Sequence, residues 1–216
     1  TFKVNVEEVK NNRTDAFYNQ PKFKEIEKNL LNSNNEIKTL GEITKLVKTG
    51  TTPSQSSNPF VDEKEIIFLR NTNLKKYFLD LSDVKYIRKD LEKGLIYSRK
   101  NDLLICIAGT IGTSAVNTCE EKIAINQNIS ALKLKDNVKP EFMSIILNLS
   151  IYEDAFKRVA SLATIYYINN VNLLTIKVPV PTLEVQNKII LEVQNKISKS
   201  NELKKSAEKE LEEAKK

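Results

Sequence analysis

From Leu183 to Ala214 the chain carries no glycine and no proline. Leu183, Gln186, Ile190, Val193, Ile197, Ser200, Lys204, Ala207, Leu211 and Ala214 recur by threes and fours, which makes a heptad seam. Such a segment folds as one helix, and at about 1.5 Å per residue it extends on the order of 45 Å. An imperfect seam on a helix this long needs a partner helix, from another chain or from elsewhere in its own. Ile190, Val193, Ile197, Ala207 and Leu211 are the expected pairing positions, while Ser200 and Lys204 weaken the seam. The five Lys and five Glu of 201–216 balance, so the tail is a solvated helix and not a polybasic arm. The proline corner Pro179-Val180-Pro181 leads directly into it.

The preceding residues have a different texture. Short apolar runs at Ile43–Val47, Glu65–Leu69, Val84–Ile87, Leu103–Ile107, Thr113–Val116 and Ile129–Leu134 are separated by polar turns, which predicts strands. Pro140 opens a helix through Asn148, Ile151–Val159 reads as a second, and Leu173–Val178 reads as a returning strand. Toward the start, Val4, Val6 and Val9 suggest an edge strand. Pro21 opens a short helix with Phe23, Ile26, Leu30 and Leu31 on one face, ended by Asn32-Ser33-Asn34-Asn35. The expected organisation is an extension with a short helix over 1–36, a β-rich body over 37–182 and a long helix over 183–216. The expected class is α+β: a curved, mostly antiparallel β body with small helices, followed by a C-terminal coiled-coil helix.

Composition removes several chemistries. The chain has no histidine, so a Ser-His-Asp triad, a His-bound metal nuclease and a mixed Cys/His zinc site are excluded. Cys106 and Cys119 cannot build a four-cysteine site either, and Cys106 in its apolar run reads as a buried free thiol in a reducing, cytoplasmic setting. There is no adenine-methyltransferase Asp/Asn-Pro-Pro-Tyr/Phe run and no glycine-rich cofactor loop among only five glycines. No apolar run is long enough to span a membrane. The net charge of +6 permits a nucleic-acid partner without demanding one. The first residues, Thr1-Phe2-Lys3-Val4-Asn5, show neither an initiator Met nor a signal pattern, as in a segment of a longer chain.

Several polar clusters carry the chemistry of base and phosphate contact. Thr51, Thr52 and Ser54 of Gly50-Thr51-Thr52-Pro53-Ser54 place hydroxyls that donate and accept, and the same run also makes an ordinary turn. Arg70, Asn71, Asn73, Lys75 and Lys76 follow an apolar strand. Arginine matches guanine, asparagine matches adenine and lysine holds phosphate, though a solvated loop has the same composition. Thr110 lies in Gly109-Thr110-Ile111-Gly112, which lacks the lysine of a phosphate-cradling loop and reads as a glycine-permitted turn between strands. Asn126 and Gln127 offer amides for adenine edges or for turn stabilisation. Tyr166 and Tyr167, after Thr164, can stack on a partner or sit in a core. Asp102, Glu120 and Lys122 loosely match an Mg2+ nuclease pattern, a spacing that arises easily by chance among so many charges.

Taken in order, these pieces resemble the specificity subunits of type I restriction-modification systems. The likeness runs through Leu40-Gly41-Glu42-Ile43, Thr49 to Ser54, Ile67-Phe68-Leu69-Arg70, Asn101-Asp102-Leu103-Leu104 and Gly109-Thr110-Ile111-Gly112. It continues through Ile125-Asn126-Gln127-Asn128-Ile129, Ala163-Thr164-Ile165 and Val178 to Ile189. The stretch Arg13 to Phe23 also resembles segments that precede such domains. The family often has glycine where Ala160 or Ala163 stands here, so that turn departs from its pattern.

The resemblance implies one target-recognition domain plus one spacer helix, a non-catalytic reader of double-stranded DNA. A half-subunit of this kind would pair as a homodimer on a split target. It would direct a DNA adenine methyltransferase subunit, with a motor-nuclease restriction subunit joining for cleavage. S-adenosylmethionine, ATP and Mg2+ would belong to those partners, and this chain would bind no cofactor or metal. The alternative is the C-terminal recognition region of a fused type IIG restriction-methylation enzyme. A metal nuclease built on Asp102, Glu120 and Lys122, and a coiled-coil protein without DNA affinity, are the competing classes.

Overall fold

A computed structural model describes residues 16–23, 28, 35–162 and 165–215. Val4, Val6, Val9, Ile26, Leu30, Leu31, Ala163 and Thr164 lie outside the described residues. The first half contains strands β1 (Glu36–Thr39), β2 (Thr44–Thr49), β3 (Phe60–Val61), β4 (Ile66–Leu69), β5 (Leu74–Lys75), β6 (Phe78–Leu79), β7 (Lys85–Ile87) and β8 (Tyr97–Ser98), with one helical turn α1 (Leu40–Ile43). Strands β9 (Leu103–Cys106), β10 (Ser114–Val116), β11 (Ile123–Ile125) and β12 (Ile129–Leu134) follow. Helices α2 (Pro140–Leu147) and α3 (Ser150–Val159) come next, then β13 (Ser161–Leu162), β14 (Tyr166–Tyr167), α4 (Asn170–Leu173), β15 (Lys177–Val180) and α5 (Leu183–Ala214). The fold is α+β with antiparallel and mixed sheets, small helices and a long C-terminal helix.

Two sheets stack through the continuous apolar strands. The first has the order β10-β9-β12-β2 and is antiparallel throughout. The second has the order β3-β7-β4-β11-β8, in which β4 and β11 run parallel. Strand β9 explains why its sequence is apolar at every position. Leu103 and Ile105, with Ile107 just beyond, pack on the helical side with Phe142, Met143 and Phe156. Leu104 and Cys106 pack on the other side against Leu69, Ile123, Ile125 and Ile129. A strand buried on both faces has no polar alternation to show. Phe68, Ile87, Leu95 and Ala124 form a smaller core on the far face of the second sheet. Burial pushes the Cys106 thiol up to about 11, so it stays protonated at neutral pH.

The returning strand begins later than the apolar run suggests. Asn169 caps α4 by accepting from the Asn172 N–H at 2.8 Å, which turns Asn170–Leu173 helical, and β15 starts at Lys177. Pro179 is tolerated within β15 because that strand pairs with β1 alone, with Ile37 opposite Pro179. Near the start, Pro21–Phe23 is helical and Phe23 is buried. The Arg158 guanidinium lies over the Tyr18 ring at 4.5 Å and the Phe23 ring at 5.0 Å, and Lys22 pairs with Asp154 at 2.9 Å, so this segment docks on α3.

Helix α5 is divided in two by burial. Gln186 and Ile190 are buried against the body, Val193 is half-buried, and every described residue from 194 onward is exposed. Ile190 therefore belongs to the core around α2 and is not free for helix pairing, contrary to its place in the heptad reading. Ile197, Ala207 and Leu211 remain at the surface. Gln186, expected as a seam residue, is a clamp. Its amide oxygen accepts from the Lys139 N–H at 2.8 Å, and its amide nitrogen donates to the Asn137 and Pro181 carbonyls at 3.0 and 2.8 Å. Replacing it by an apolar side chain of similar size strands three main-chain groups. Gln186→Leu is expected to lower stability by about 1–3 kcal/mol in urea unfolding. An unchanged midpoint would show that the clamp does not hold the helix.

Candidate nucleic-acid interface

The strand registers gather the loops singled out above. Thr49 at the end of β2 stands opposite Ser130 at the start of β12, and Ser130 stands opposite Ile105 near the end of β9. Leu69 at the end of β4 pairs with Ile125 at the end of β11, and the Asn126 N–H donates to the Leu69 carbonyl at 3.0 Å. The loops after β2, β4, β9 and β11 therefore leave the two sheets at one edge. The β13–β14 hairpin joins them through an Ala108–Tyr167 bridge and the Ile168 N–H on the Ile107 carbonyl at 2.9 Å.

Gly50 lets two of these loops meet. A Cβ there would lie 2.1 Å from the Ile125 carbonyl oxygen and 2.2 Å from that of Asn126. With only hydrogen at that position, the Thr51 N–H reaches the Ile125 carbonyl at 3.0 Å and the Gly50 N–H reaches Ile129 at 3.0 Å. The Thr51 hydroxyl donates to the Gly94 carbonyl at 2.8 Å, and the Thr52 hydroxyl donates to the Gln127 amide oxygen. Ser54 caps the 3-10 turn Gln55–Ser57. Gln127 is exposed beside Thr52, whereas Asn126 is buried and accepts from the Asn128 N–H at 3.2 Å. Thr51 and Asn126 thus serve the turn itself, and Thr52 and Gln127 present one joined polar surface.

The Arg70–Lys76 segment splits in the same way. Asn73 is buried, contrary to its expected place as a base contact. It accepts from the Arg70 N–H at 3.0 Å and donates to the carbonyls of Asp80 and Asp83 at 3.1 and 3.0 Å. The short 3-10 turn Asn71–Asn73 needs that cap, which is why an asparagine stands there. Arg70 is half-buried and its Nη2 donates to Asp83. Lys75 and Lys76 are exposed, with Asp80 and Glu153 as their ion-pair partners. The Ser82 hydroxyl and N–H hold the Asp80 carboxyl below the ordinary carboxylate range.

Gly109 and Gly112 both have positive φ, as the β9–β10 hairpin requires, and leave Thr110 exposed. The hairpin, Lys76, Lys157 and Tyr166 line a cleft of about 270 Å³. Tyr166 is half-buried there, and Tyr167 is 47% exposed at the edge.

A further polar ring joins three elements behind the edge. Asn170 donates to the Thr49 hydroxyl at 2.9 Å and accepts from the Ser130 hydroxyl at 2.8 Å, and the two hydroxyls lie 3.0 Å apart. It ties α4 to the first sheet just before Gly50. No local signal marks it, because its members lie 40 to 121 positions apart. The nuclease pattern dissolves into local roles. Asp102 accepts from the Arg99 N–H at 2.8 Å, Glu120 pairs with Lys100, and Lys122 pairs with Glu92 at 2.6 Å. Among the described residues no group of three His, Cys, Asp or Glu side chains is placed to hold a metal ion.

The elements define an α+β module with polar loops gathered at one sheet edge and a long helix leaving its body. The chain belongs to the type I restriction modification DNA specificity domain family, whose model matches residues 32–213. Solved structures agree in fold. A chain from a structure of type I R-M system complex assembly and conformational transition is 18% identical with a TM-score of 0.59; the match covers 93% of this chain and 50% of that one. The HsdS subunit of Thermoanaerobacter tengcongensis is 16% identical with a TM-score of 0.51, covering 85% of this chain and 46% of that one. The S subunit of a type I system from M. genitalium is 17% identical with a TM-score of 0.50, covering 76% and 40%. The chain thus spans about half the length of these chains or less.

Gly50→Ala tests the edge directly. A methyl group would meet backbone rather than a movable side chain, so the variant is expected to lose about 1–3 kcal/mol of stability. A urea midpoint equal to wild type would mean that the two loops separate freely and that the crossing does not organise the edge.

Proposed function

We propose that this chain is a DNA-reading specificity module of a type I restriction-modification assembly, itself non-catalytic. The supporting observation is the convergence of Thr52, Gln127, Thr110, Tyr167 and the Arg70–Lys76 segment at one edge, set by strand register in a family of DNA specificity domains. Hydroxyls and lysines hold phosphates, and exposed amides and Arg70 read base edges. The chain binds no cofactor. S-adenosylmethionine, ATP and Mg2+ act in a methyltransferase subunit and a motor-nuclease subunit that it directs to a split target in the cytoplasm. No helix of the described residues is long and apolar enough to cross a membrane. The exposed seam at Ile197, Ala207 and Leu211 pairs with a second copy, so each protomer reads one half-site.

Selection from a random duplex library should yield one enriched half-site. If the edge neutralises about four phosphates, affinity should fall roughly a hundredfold between about 50 and 200 mM salt. Gln127→Ala should relax base preference at one position without changing that salt dependence. Binding without enrichment, or without salt dependence, would contradict the reading. Light scattering should give a dimer that becomes a monomer on truncation after Gln194. A monomer in both forms would instead place the partner helix elsewhere in a longer chain.

A further inference from the structure

Three cations of the loop edge, Arg70, Lys75 and Lys76, each face a carboxylate. Arg70 Nη2 lies 3.0 Å from Asp83 Oδ2, Lys76 Nζ lies 3.1 Å from Glu153 Oε1, and Lys75 Nζ lies 4.0 Å from Asp80 Oδ2. The acids come from separate places. Asp80 and Asp83 stand in the turn between β6 and β7, and Glu153 projects from α3. The turn is held in place: buried Asn73 donates to both Asp80 and Asp83 carbonyls, and the Asp80 N–H returns to the Asn73 carbonyl at 2.8 Å. One asparagine thereby fixes the spacing between the cationic segment and the turn that carries Asp80 and Asp83.

Lys75, Lys76, Asp83 and Glu153 are exposed, and Arg70 and Asp80 are half-buried. The Asp83 side chain is 82% accessible and that of Glu153 is 51% accessible. Exposed ion pairs contribute little stability, so DNA can displace them at small cost, a phosphate at the two lysines and a base edge at Arg70. Their consequence lies in discrimination. Non-specific affinity comes from releasing counterions condensed on DNA when cations approach. A cation already neutralised by a fixed carboxylate gains less from that exchange, and the displaced carboxylate is left close to the phosphates. Only a sequence that also satisfies the adjacent base-reading groups makes up the difference.

We propose that Asp83, Glu153 and Asp80 are specificity-determining counter-ions that mask Arg70, Lys76 and Lys75 against non-cognate DNA. This rests on the DNA-reading function proposed above. Both elements contribute, so masking should weaken on the loss of Asp83 or of Glu153 and fall further when both are neutralised.

The test compares the wild-type chain, Asp83→Asn, Glu153→Gln and the double variant. Each is titrated into a random-sequence duplex and into the duplex enriched with wild type, at two salt concentrations. Glu212→Gln, on the exposed far part of α5, makes the same change in net charge away from the edge. Each edge variant is expected to bind the random duplex about two- to fivefold more tightly, matching the worth of an exposed pair. The double variant should gain by roughly the product, because the two pairs sit on different elements. The salt slope should steepen, cognate affinity should rise less, and Glu212→Gln should match wild type. Edge variants that bind random DNA no more tightly than Glu212→Gln would overturn the masking. An equal gain on both duplexes would overturn it too, showing a plain charge effect. Failure of wild type and every variant to bind any duplex would defeat the DNA-reading function itself, a result distinct from binding without masking.

Discussion

The approach of Gly50 to the backbone of Ile125 and Asn126 is the constraint on which the rest of the edge depends. A Cβ at 2.1 Å from a carbonyl oxygen has no room, so the end of β2 can cross the end of β11 only as glycine. That crossing brings the first sheet against the second. It sets the Thr51 hydrogen bond to Ile125, which leaves Thr52 beside Gln127. The parallel pairing of β4 with β11 then carries the Arg70 segment to the same side. Four loops from distant parts of the sequence share one edge because two backbones are in contact.

Much of the fold could be read in the residues because its large elements obey simple periodicities. The tail reads as a helix because nothing interrupts it, and β9 stands out as an unbroken apolar run, with β12 apolar at four of its six positions. Strands β3, β5, β6 and β8 have two residues each, too short for any alternation to register. Leu173–Val178 misled for another reason: Asn169, four residues before it, caps a helical turn that takes in the start of that apolar run.

The site was legible as a set of loops and less so residue by residue. Composition identified Thr52, Gln127, Lys75 and Lys76 as available polar groups, and they are exposed. The same composition placed Asn73 and Asn126 among base contacts, yet both are buried in turn caps. An asparagine offers the same amide to a base or to a backbone, and only burial separates the two uses. Gln186 and Ile190 show the same limit on the helix. Heptad spacing says that a face is apolar or adaptable, but it does not say whether a partner helix or the chain's own body covers it.

The burial of those two residues relates the edge to the helix. Strand β12 begins at Ile129, directly after the Asn126–Asn128 turn, and ends at Leu134. Asn137 and Lys139, which hold the Gln186 side chain, follow a few residues later. Six residues at about 3.4 Å each make a strut of roughly 20 Å between the polar edge and the helix root. The strut is buried on both faces along nearly its whole length and bonded to β2 and β9 on either side, so it cannot slide without disrupting both cores. The β1–β15 pair braces the approach to the helix from the other direction. Any load on the bare half of α5 therefore reaches the edge through packed strands rather than through a flexible linker. The clamp at Gln186 gives the helix a rigid root where the proline corner ends.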